Sequence, residues 1–329
     1  MENYVNKNVV IIGPGGIAKD YAKVVQALKT NAIAIGRNKE KCDLFEKETG
    51  LKCIATPLDA YLKTIDIAST YFIISVNTEN LGFVIRDLIS QRAKHILVEK
   101  PAGIDKDDIA LTIKLLEGKN VFPYVAYNRR FYASFQKAIE LIKEQGGLTS
   151  FSFEFTEWAH ELEKYNKTKE ALEHWLLGNS SHVIDVAFFV AGLPKEMHSF
   201  TSGAGVIKWH PAASQFSGAG VTIKGVIFSY QANWASAGRW GVEFNTLQGK
   251  LILRPMEKLF FQKKGELTIN EIELNNKQDI DFKPGLYKQV EAFLNGDATN
   301  MITIQQHYSN LINIYEKIKN PMAHAAALK

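Results

Sequence analysis

The sequence has little cysteine, no long apolar run and no strong excess of charge. Cysteine occurs twice in 329 residues, at Cys42 and Cys53, which excludes a disulfide scaffold and favours a reducing, cytoplasmic compartment. The most apolar stretch, 183–192, is too short to cross a bilayer and contains Asp185. A net charge of +4 is too small to indicate nucleic-acid binding, and the first residues do not have a signal-peptide layout. We therefore expect a soluble, globular protein without a membrane or nucleic-acid partner.

Two periodicities alternate in the first part of the chain. Short runs rich in β-branched residues predict buried strands at Asn8–Ile12, Ala32–Ile35, Leu51–Ala55, Tyr71–Val76, His95–Val98 and Val121–Tyr127. Helical patterns lie between several of them, at Ile17–Leu28, Lys39–Glu48, Glu79–Gln91 and Lys106–Glu117. Strands that alternate with helices indicate βαβ units, so the fold class is α/β with a doubly wound parallel sheet.

The second part is richer in strands. They are predicted at Ser150–Thr156, Met197–Thr201, Val221–Asn233, Trp240–Thr246, Lys250–Leu253 and Lys258–Gln262, with helices at Phe131–Glu144, His182–Ala191, Leu286–Leu294 and Ile304–Lys319. This pattern favours an α+β domain with a large, open, mostly antiparallel sheet. We predict domains at 1–127 and 128–329, and the last helices could pack back on the first domain. A sheet face rich in Phe and Tyr along Phe228–Trp234 suggests a homo-oligomer, a dimer or tetramer.

The first strand leads directly into a glycine-rich turn, Gly13-Pro14-Gly15-Gly16-Ile17-Ala18, which opens a helix. In this G-x-G-x-x-A pattern the first glycine permits the tight turn and the second lets the backbone approach a pyrophosphate. The helix N-terminus offers free N–H groups to the anion. We predict a dinucleotide site that includes Gly13, Gly15, Gly16 and Ile17.

The end of the second strand predicts which dinucleotide is preferred. An acidic residue at this point would bind the adenosine ribose and repel a 2′-phosphate, but the sequence has Gly36-Arg37-Asn38. Arg37 offers a cation with bidentate geometry. NADP is therefore favoured over NAD, although Arg37 could also stack on adenine in either cofactor.

Polar residues follow three further strands, where ligands of open α/β sheets bind. The cofactor candidates among them are Ser75, Asn77, Glu99, Lys100 and Asn128. Lys100 is confined between a strand and Pro101, whose peptide bond could be cis. We predict that Lys100 contacts substrate and takes part in proton handling rather than lying in solvent.

Together, the first-strand turn, Glu99-Lys100-Pro101 and Asn128-Arg129-Arg130-Phe131 resemble the glucose–fructose oxidoreductase/inositol dehydrogenase/MocA (Gfo/Idh/MocA) family. The resemblance covers most of the chain. It implies an N-terminal Rossmann domain, a C-terminal α+β domain that often carries oligomer contacts, and oxidation or reduction of sugars, cyclitols or sugar nucleotides with NAD or NADP. It also implies that Lys100 contacts substrate and cofactor. Asn77 matches a family asparagine, although Val76 replaces the proline before it.

An apolar helix carries the second catalytic candidates. His182 and Asp185 are three residues apart and share one face of a helix that is apolar nearly all round. Buried ionisable groups need partners or a function. The resemblance implies that His182 is the catalytic histidine, but Gly178 stands where the family commonly has an aspartate. Asn179, Asp185 or a water could replace that acid, and a locally paired core histidine is the structural alternative.

Substrate contacts are expected in the second domain and at its start. All five tryptophans lie there, and tryptophan can stack on sugars. The substrate candidates are Lys100, Arg129, Arg130, Trp158, Trp175, Asn179 and His182. No metal site is predicted.

The favoured function is hydride transfer between NAD(P) and a secondary alcohol or ketone of a carbohydrate, with His182 and Lys100 managing the proton. One alternative keeps the cofactor but reduces an imine, enone or tetrapyrrole. The other is a dinucleotide-binding sensor without catalysis, which the glycine at position 178 would suit.

Overall fold

The computed structural model describes residues 4–164 and 167–319, and the chain divides into two compact units. The first unit comprises Met1–Phe131 and Lys277–Tyr308, and the second comprises Tyr132–Asn276 and Ser309–Lys329. The division differs from the expected 1–127 and 128–329 mainly because a C-terminal segment belongs to the first unit. Residues 165–166 and 320–329, which fall within the expected second domain, lie outside the described residues.

The first unit is built on a parallel sheet. Its strands are β1 (Asn8–Ile12), β2 (Asn31–Gly36), β3 (Cys53–Ala55), β4 (Tyr71–Ile74), β5 (His95–Val98) and β6 (Tyr124–Val125), in the order β3-β2-β1-β4-β5-β6. The connecting helices are α1 (Gly16–Ala27), α2 (Lys39–Thr49), α3 (Leu58–Leu62), α4 (Thr78–Ser90) and α5 (Lys106–Leu116). This confirms the predicted doubly wound α/β sheet. The short helix α3 was not predicted, and β6 is much shorter than the predicted Val121–Tyr127.

The second unit begins with helices around one strand: α6 (Ala133–Glu144), β7 (Ser150–Glu154), α7 (Ala159–Leu162), α8 (Lys169–Glu173), a π-helical turn at Leu176–Ser180 and α9 (Ser181–Ala191). Seven strands follow: β8 (Pro194–Ser202), β9 (Gln215–Thr222), β10 (Ile227–Asn233), β11 (Gly241–Asn245), β12 (Gly249–Leu253), β13 (Phe260–Lys263) and β14 (Ile269–Glu271). The eight strands form one sheet in the order β14-β13-β12-β11-β7-β10-β9-β8, with β7 and β10 as its parallel pair. The predicted large, mostly antiparallel sheet is confirmed.

The predicted strand Val221–Asn233 is wrong in one respect. It is an antiparallel hairpin, in which β9 ends at Thr222 and β10 starts at Ile227. The apolar residues on both sides of the turn have the same β-branched character, so local periodicity did not reveal the reversal.

The faces of β10 also differ from expectation. Phe228 and Tyr230 are buried, and the Phe228 ring lies 5.0 Å from that of Phe188 on α9. Ser229 and Gln231 point to the opposite, exposed face. The aromatic face is therefore covered within the unit, so the predicted argument that a second copy must cover it is wrong.

The chain then supplies α10 (Lys277–Asp281), α11 (Leu286–Asn295), α12 (Ile304–Asn310), a π-helical turn at Leu311–Tyr315 and α13 (Glu316–Lys319). The last predicted helix, Ile304–Lys319, is helical over its whole predicted length, with the π-helical turn in its middle. In the first unit, Val290 and Phe293 of α11 share one buried core with Tyr21 and Val25 of α1. This burial explains why residues 277–308 belong to the first unit. Among the described residues, no helix is long and apolar enough to cross a membrane.

Candidate active site

The turn after β1 is shaped by a close contact with the end of β4. Gly13 has φ +98°, and a Cβ there would lie 2.8 Å from Cγ1 of Val76. Ser75 holds the same turn, because its Oγ lies 2.9 Å from the carbonyl oxygen of Gly13 and 3.1 Å from that of Ile12. A residue other than glycine would therefore disturb the junction of the two central strands.

The next two glycines border open space. A Cβ on Gly16 would have no neighbouring atom within 4 Å, and one on Gly15 would lie 3.8 Å from the carbonyl oxygen of Ser75. Gly15 is the N-cap of α1, whose first turn contains no acidic residue and receives no side-chain cap. The first N–H groups and the positive end of the helix dipole face this space. The residues present therefore fit a phosphate-bearing cofactor.

Packing explains the glycine at the end of β2. A Cβ on Gly36 would lie 2.7 Å from Cδ of Pro14, so no carboxylate can occupy this position without moving the phosphate turn. Arg37 follows it, is exposed and forms no hydrogen bond or ion pair with another described residue. Asn38 caps α2, accepting a 2.8 Å hydrogen bond from the Lys41 amide. A cofactor contact by Asn38 stays a prediction.

The Glu99 side chain is held by α1. The hydroxyl of Tyr21 donates a 2.6 Å hydrogen bond to Oε1 of Glu99, and burial raises the pKa of both groups. Sequence reasoning assigned Glu99 to the cofactor, whereas this bond directs its carboxyl to the helix that follows the phosphate turn. Lys100 is half-buried at the end of β5, and the Lys100–Pro101 peptide is cis. The exposed Asn77 starts α4 at the end of the neighbouring strand β4.

A buried histidine that the sequence did not reveal supports the Lys100 segment. Nε2 of His307 lies 3.0 Å from the carbonyl oxygen of Pro101, and Nδ1 lies 3.4 Å from the Tyr127 hydroxyl. Burial lowers the pKa of His307 to about 4, because a charged imidazole is disfavoured there. The neutral ring can donate from Nε2 to Pro101 and accept at Nδ1 from Tyr127. No local pattern marks His307, which lies about 200 residues further along the chain.

Side chains of the Asn128–Arg130 segment form hydrogen bonds within the first unit. The Asn128 amide donates a 2.9 Å hydrogen bond to the carbonyl of Pro284, and Nη1 of the buried Arg130 donates to that of Met301 at 3.2 Å. These bonds tie the C-terminal segment to the unit. Arg130 is thus used at least in part by the backbone of its own unit, and its predicted substrate contact stays a prediction. Arg129 is half-buried, and its predicted role stays a prediction.

In the second unit, α9 carries His182 and Asp185 in a buried, mostly apolar helix, as predicted. The His182 ring centre lies 6.2 Å from that of Trp240. The preceding π-helical turn contains Gly178, where a Cβ would meet no atom within 4 Å. Lack of space therefore does not explain why position 178 has glycine where the family commonly has an aspartate.

A buried carboxyl group beside this turn was missed. Both Oε atoms of Glu157 lie 3.1 Å from Nδ2 of Asn179, and Oε1 accepts a 2.7 Å hydrogen bond from Oγ of Ser180. Burial raises the pKa of Glu157, while these hydrogen bonds and the positive charge of Arg239 partly offset the rise. Buried residues alternate along β7, and Glu157 continues this alternation three residues after the strand ends. A charged residue at a position where the alternation predicts burial was the signal available in the sequence.

The tryptophans separate into two groups. Trp175 packs edge-on against Trp209 at 6.3 Å, and Trp209 stacks on Trp234 at 5.9 Å, so these rings belong to one aromatic cluster. Trp158 is 47% exposed. Of the two substrate candidates, Trp158 is therefore the more accessible. No group of three or more His, Cys, Asp or Glu side chains among the described residues could hold a metal ion.

The sequence of the first unit matches the model of a known family. Residues 7–127 match the Gfo/Idh/MocA oxidoreductase family, described as having an NAD-binding Rossmann fold. The match confirms the resemblance drawn from the sequence motifs and the expectation of an NAD(P)-dependent dehydrogenase or reductase. No curated protein matches the chain.

Solved structures extend the similarity to nearly the whole chain. UDP-N-acetylglucosamine 3-dehydrogenase from Acidithiobacillus ferrooxidans is 13% identical, with a TM-score of 0.72, over 95% of this chain and 96% of its own. The WlbA dehydrogenase from Bordetella pertussis, in complex with NADH and UDP-GlcNAcA, is 14% identical with a TM-score of 0.71, over 96% and 97%. Levoglucosan dehydrogenase, in complex with NADH and levoglucosan, is 16% identical with a TM-score of 0.74, over 98% and 97%. At these identities the likeness establishes the fold.

Proposed function

We propose that this Gfo/Idh/MocA oxidoreductase transfers a hydride to or from a secondary alcohol or ketone of a sugar, cyclitol or sugar nucleotide, with NADP preferred over NAD. The observation that carries the proposal is the open backbone cradle at Gly15 and Gly16, at the same edge of the sheet as Lys100. The carbohydrate class is supported by the fold, which the chain shares with dehydrogenases of UDP-N-acetylglucosamine and levoglucosan.

The cofactor contacts are assigned within the first unit. The N–H groups at the start of α1 would bind the pyrophosphate, and Arg37 would bind the 2′-phosphate of NADP. Packing against Pro14 keeps a carboxylate out of position 36, so nothing at that position repels the phosphate. Ser75, Asn77 and Lys100 follow the neighbouring strands and would line the path toward the nicotinamide.

The proposed catalytic residues are Lys100 and His182, with Asp185 as a further member of the buried helix. When bound, the nicotinamide ring supplies or accepts the hydride. His182 is assigned to take the proton from the substrate hydroxyl during oxidation and to return it during reduction, and the Lys100 ammonium is assigned to donate a hydrogen bond to the substrate. Histidine suits this task because its ordinary pKa, about 6.5, allows both protonation states near neutral pH.

Two positioning residues complete the proposal. His307 holds the carbonyl of Pro101 and so restrains the backbone next to Lys100. Glu157 holds Asn179 and Ser180 in the turn that leads into the His182 helix. A buried carboxyl beside this turn favours the enzyme over the sensor, because the chain retains an acid in this region although position 178 has lost one.

The direct test is hydride transfer. The purified chain would be mixed with NADP or NAD and with glucose, inositol, levoglucosan or UDP-N-acetylglucosamine, while the absorbance of the reduced nicotinamide is followed. Turnover of one member, lost in a His182→Ala variant, supports the proposal. Cofactor binding without turnover of any alcohol, ketone, imine or enone would favour the sensor, and turnover of an imine or enone alone would favour the alternative reductase.

We also propose that the protein forms a homo-oligomer through the exposed face of the eight-stranded sheet. This face is largely polar, but Phe200 and Ile227 protrude from it and are 71% and 64% exposed. Apolar side chains of this size on a flat sheet favour contact with a second copy. Light scattering at micromolar concentration should give a dimer or tetramer, and a monomer would contradict this part of the proposal.

The two buried free cysteines are compatible with a cytoplasmic location.

A further inference from the structure

An arginine in the second unit lies over two indole rings. The guanidinium carbon of Arg239 lies 4.7 Å from the ring centre of Trp158 and 5.3 Å from that of Trp240. Nε1 of Trp158 donates a 2.8 Å hydrogen bond to the carbonyl of Gly238. The outer indole is thereby bonded to the residue that precedes the arginine, and the three side chains form one ordered stack.

The backbone holds this stack close to the sheet. Gly238 has φ +154°, and a Cβ on it would lie 2.9 Å from Cγ2 of Thr156. With any other residue at position 238, the backbone could not pass so closely over β7 and the residues that follow it. The tight passage places Arg239 at a defined position, whereas an arginine on a free loop would sample many rotamers.

The row of side chains continues to the proposed catalytic histidine. The ring centre of His182 lies 6.2 Å from that of Trp240 in a tilted arrangement, and the Arg239 guanidinium lies over both Trp240 and the half-exposed Trp158. All four residues belong to the second unit. A ligand that reaches His182 and extends along this row would meet a guanidinium flanked by aromatic surface.

Arg239 is exposed, yet it forms no hydrogen bond or ion pair with another described residue. Three other cations of the unit are paired: Arg254 with Glu154, Lys250 with Glu243, and Lys258 with Glu271. The positive charge of Arg239 acts to lower the pKa of the buried Glu157. The carboxyl oxygens of Glu157 already accept hydrogen bonds from Asn179 and Ser180. Contact with two indole rings does not use the N–H donors of the guanidinium in hydrogen bonds, so they can bind a planar or tetrahedral anion.

We propose that Arg239 and Trp158 form a subsite for an anionic group on the substrate, a carboxylate or a phosphate, so that the preferred substrate is an acidic or phosphorylated sugar. The guanidinium would bind the anion while the exposed part of the indole packs on the sugar C–H surface. This inference rests on the proposed function and specifies its substrate class. A neutral sugar would fill the same row but leave the guanidinium donors without a partner.

Binding can be measured without turnover by isothermal titration calorimetry on the full chain in the presence of NADP. The probes are D-glucuronate, D-glucose 6-phosphate and UDP-glucose, with D-glucose as the neutral reference. We expect at least one anionic probe to bind about 10-fold or more tightly than glucose, as for a charge-assisted hydrogen bond. Arg239→Gln should abolish this advantage, and Arg239→Lys should retain part of it because it keeps the charge but loses the planar, bidentate edge.

Lys264→Gln is the matched control, because Lys264 is another exposed cation of the second unit and its side chain has no ion pair with another described residue. It should leave every affinity unchanged. Preference for glucuronate identifies a carboxylate ligand, whereas preference for glucose 6-phosphate or UDP-glucose identifies a phosphate. Thermal unfolding checks that the Arg239 variants fold, and the Lys variant carries the test if the Gln variant does not.

Equal affinity for glucose and all anionic probes, or an anionic preference that survives Arg239→Gln, would overturn the inference. The proposed function fails separately, through absence of hydride transfer with every member of the substrate panel. An Arg239-dependent anion preference in a chain that transfers no hydride would retain the subsite and reject the enzyme.

Discussion

Ser180 donates a 2.7 Å hydrogen bond from its hydroxyl to Oε1 of Glu157, and both residues are buried. The bond joins the segment after β7 to the π-helical turn that leads into the helix of His182. A carboxyl group in this position affects stability and pH response at once, because burial raises its pKa above the ordinary value of about 4.3.

We predict that Glu157→Gln gains stability relative to the unsubstituted chain as pH rises above about 4.3. Because the pKa of Glu157 is higher in the folded state than in the unfolded state, the unfolded chain loses this proton first as pH rises. The unsubstituted chain therefore loses stability from about pH 4.3 up to the folded-state pKa, whereas the Gln variant does not. Each unit of elevation corresponds to about 1.4 kcal/mol. The free energy of unfolding, measured by urea denaturation across this pH range, tests the sign. The exposed Glu163→Gln is the control, and a parallel pH dependence in both variants would refute the buried-carboxyl assignment.

Two glycine variants should separate folding from cofactor binding. In Gly15→Ala the new methyl group meets protein atoms at an ordinary distance, so the fold should persist while the approach of the pyrophosphate is blocked. In Gly13→Ala the contact with Val76 and the positive φ should lower the unfolding temperature. Fluorescence titration with NADPH measures binding, and circular dichroism follows unfolding. Normal NADPH affinity in Gly15→Ala would exclude a phosphate site at this turn.

Arg37 should determine the choice between NADP and NAD. Arg37→Ala removes an exposed cation without a partner among the described residues, so NADPH affinity should fall about 10-fold while NADH affinity changes little. Lys39→Ala is a control on the same stretch, because Lys39 is paired with Asp43. Equal losses for NADPH and NADH would instead indicate that Arg37 stacks on the adenine.

His307 should make the first unit sensitive to acid. The folded-state pKa of about 4 lies below the ordinary value of about 6.5, so the unfolded chain binds the proton first. Stability is therefore complete above about pH 6.5 and falls as pH drops toward 4, by up to about 3 kcal/mol. In His307→Gln this part of the pH dependence should disappear, whereas the exposed His198→Gln should retain it. Hydrogen exchange of first-unit amides at several pH values measures the effect, and an unchanged slope in His307→Gln would contradict it.

The catalytic assignment predicts different effects for two substitutions. His182→Ala should leave cofactor affinity nearly unchanged and lower turnover by roughly two to four orders of magnitude, the usual contribution of one general acid/base. Lys100→Ala should weaken substrate binding as well as turnover. Steady-state kinetics with the substrate found in the panel separates kcat from KM. Full turnover in His182→Ala would make the histidine a core residue and leave Asp185 or a water as the proton carrier.

Local patterns were sufficient for most of the first unit. The alternation of short β-branched runs with amphipathic helices predicts the parallel sheet, and Gly13-Pro14-Gly15-Gly16 after β1 predicts its phosphate turn. These features depend on neighbouring residues, because strand and helix periods and the steric freedom of glycine are properties of short segments. For the same reason, the helix with His182 and Asp185 was identified from its apolar sequence alone.

Local patterns failed where neighbours on the sheet or distant segments decide the outcome. The reversal between β9 and β10 was missed because both strands are apolar, and the aromatic face of β10 was misassigned because α9, about 40 residues earlier, covers it. The hydrogen bond from Arg130 to the carbonyl of Met301, about 170 residues further along the chain, likewise has no signal in the local sequence.

The sequence by itself determined the family resemblance, the parallel sheet, the phosphate turn and the candidate residues that lie inside recognisable motifs. Only the tertiary structure decided which polar groups support them. Glu157 meets Asn179 and Ser180 across more than 20 residues, and His307 meets Pro101 across about 200. Such partners are selected by the packing of whole elements, since burial forces each polar group to find a partner wherever the fold brings one, and no periodicity along the chain records that choice.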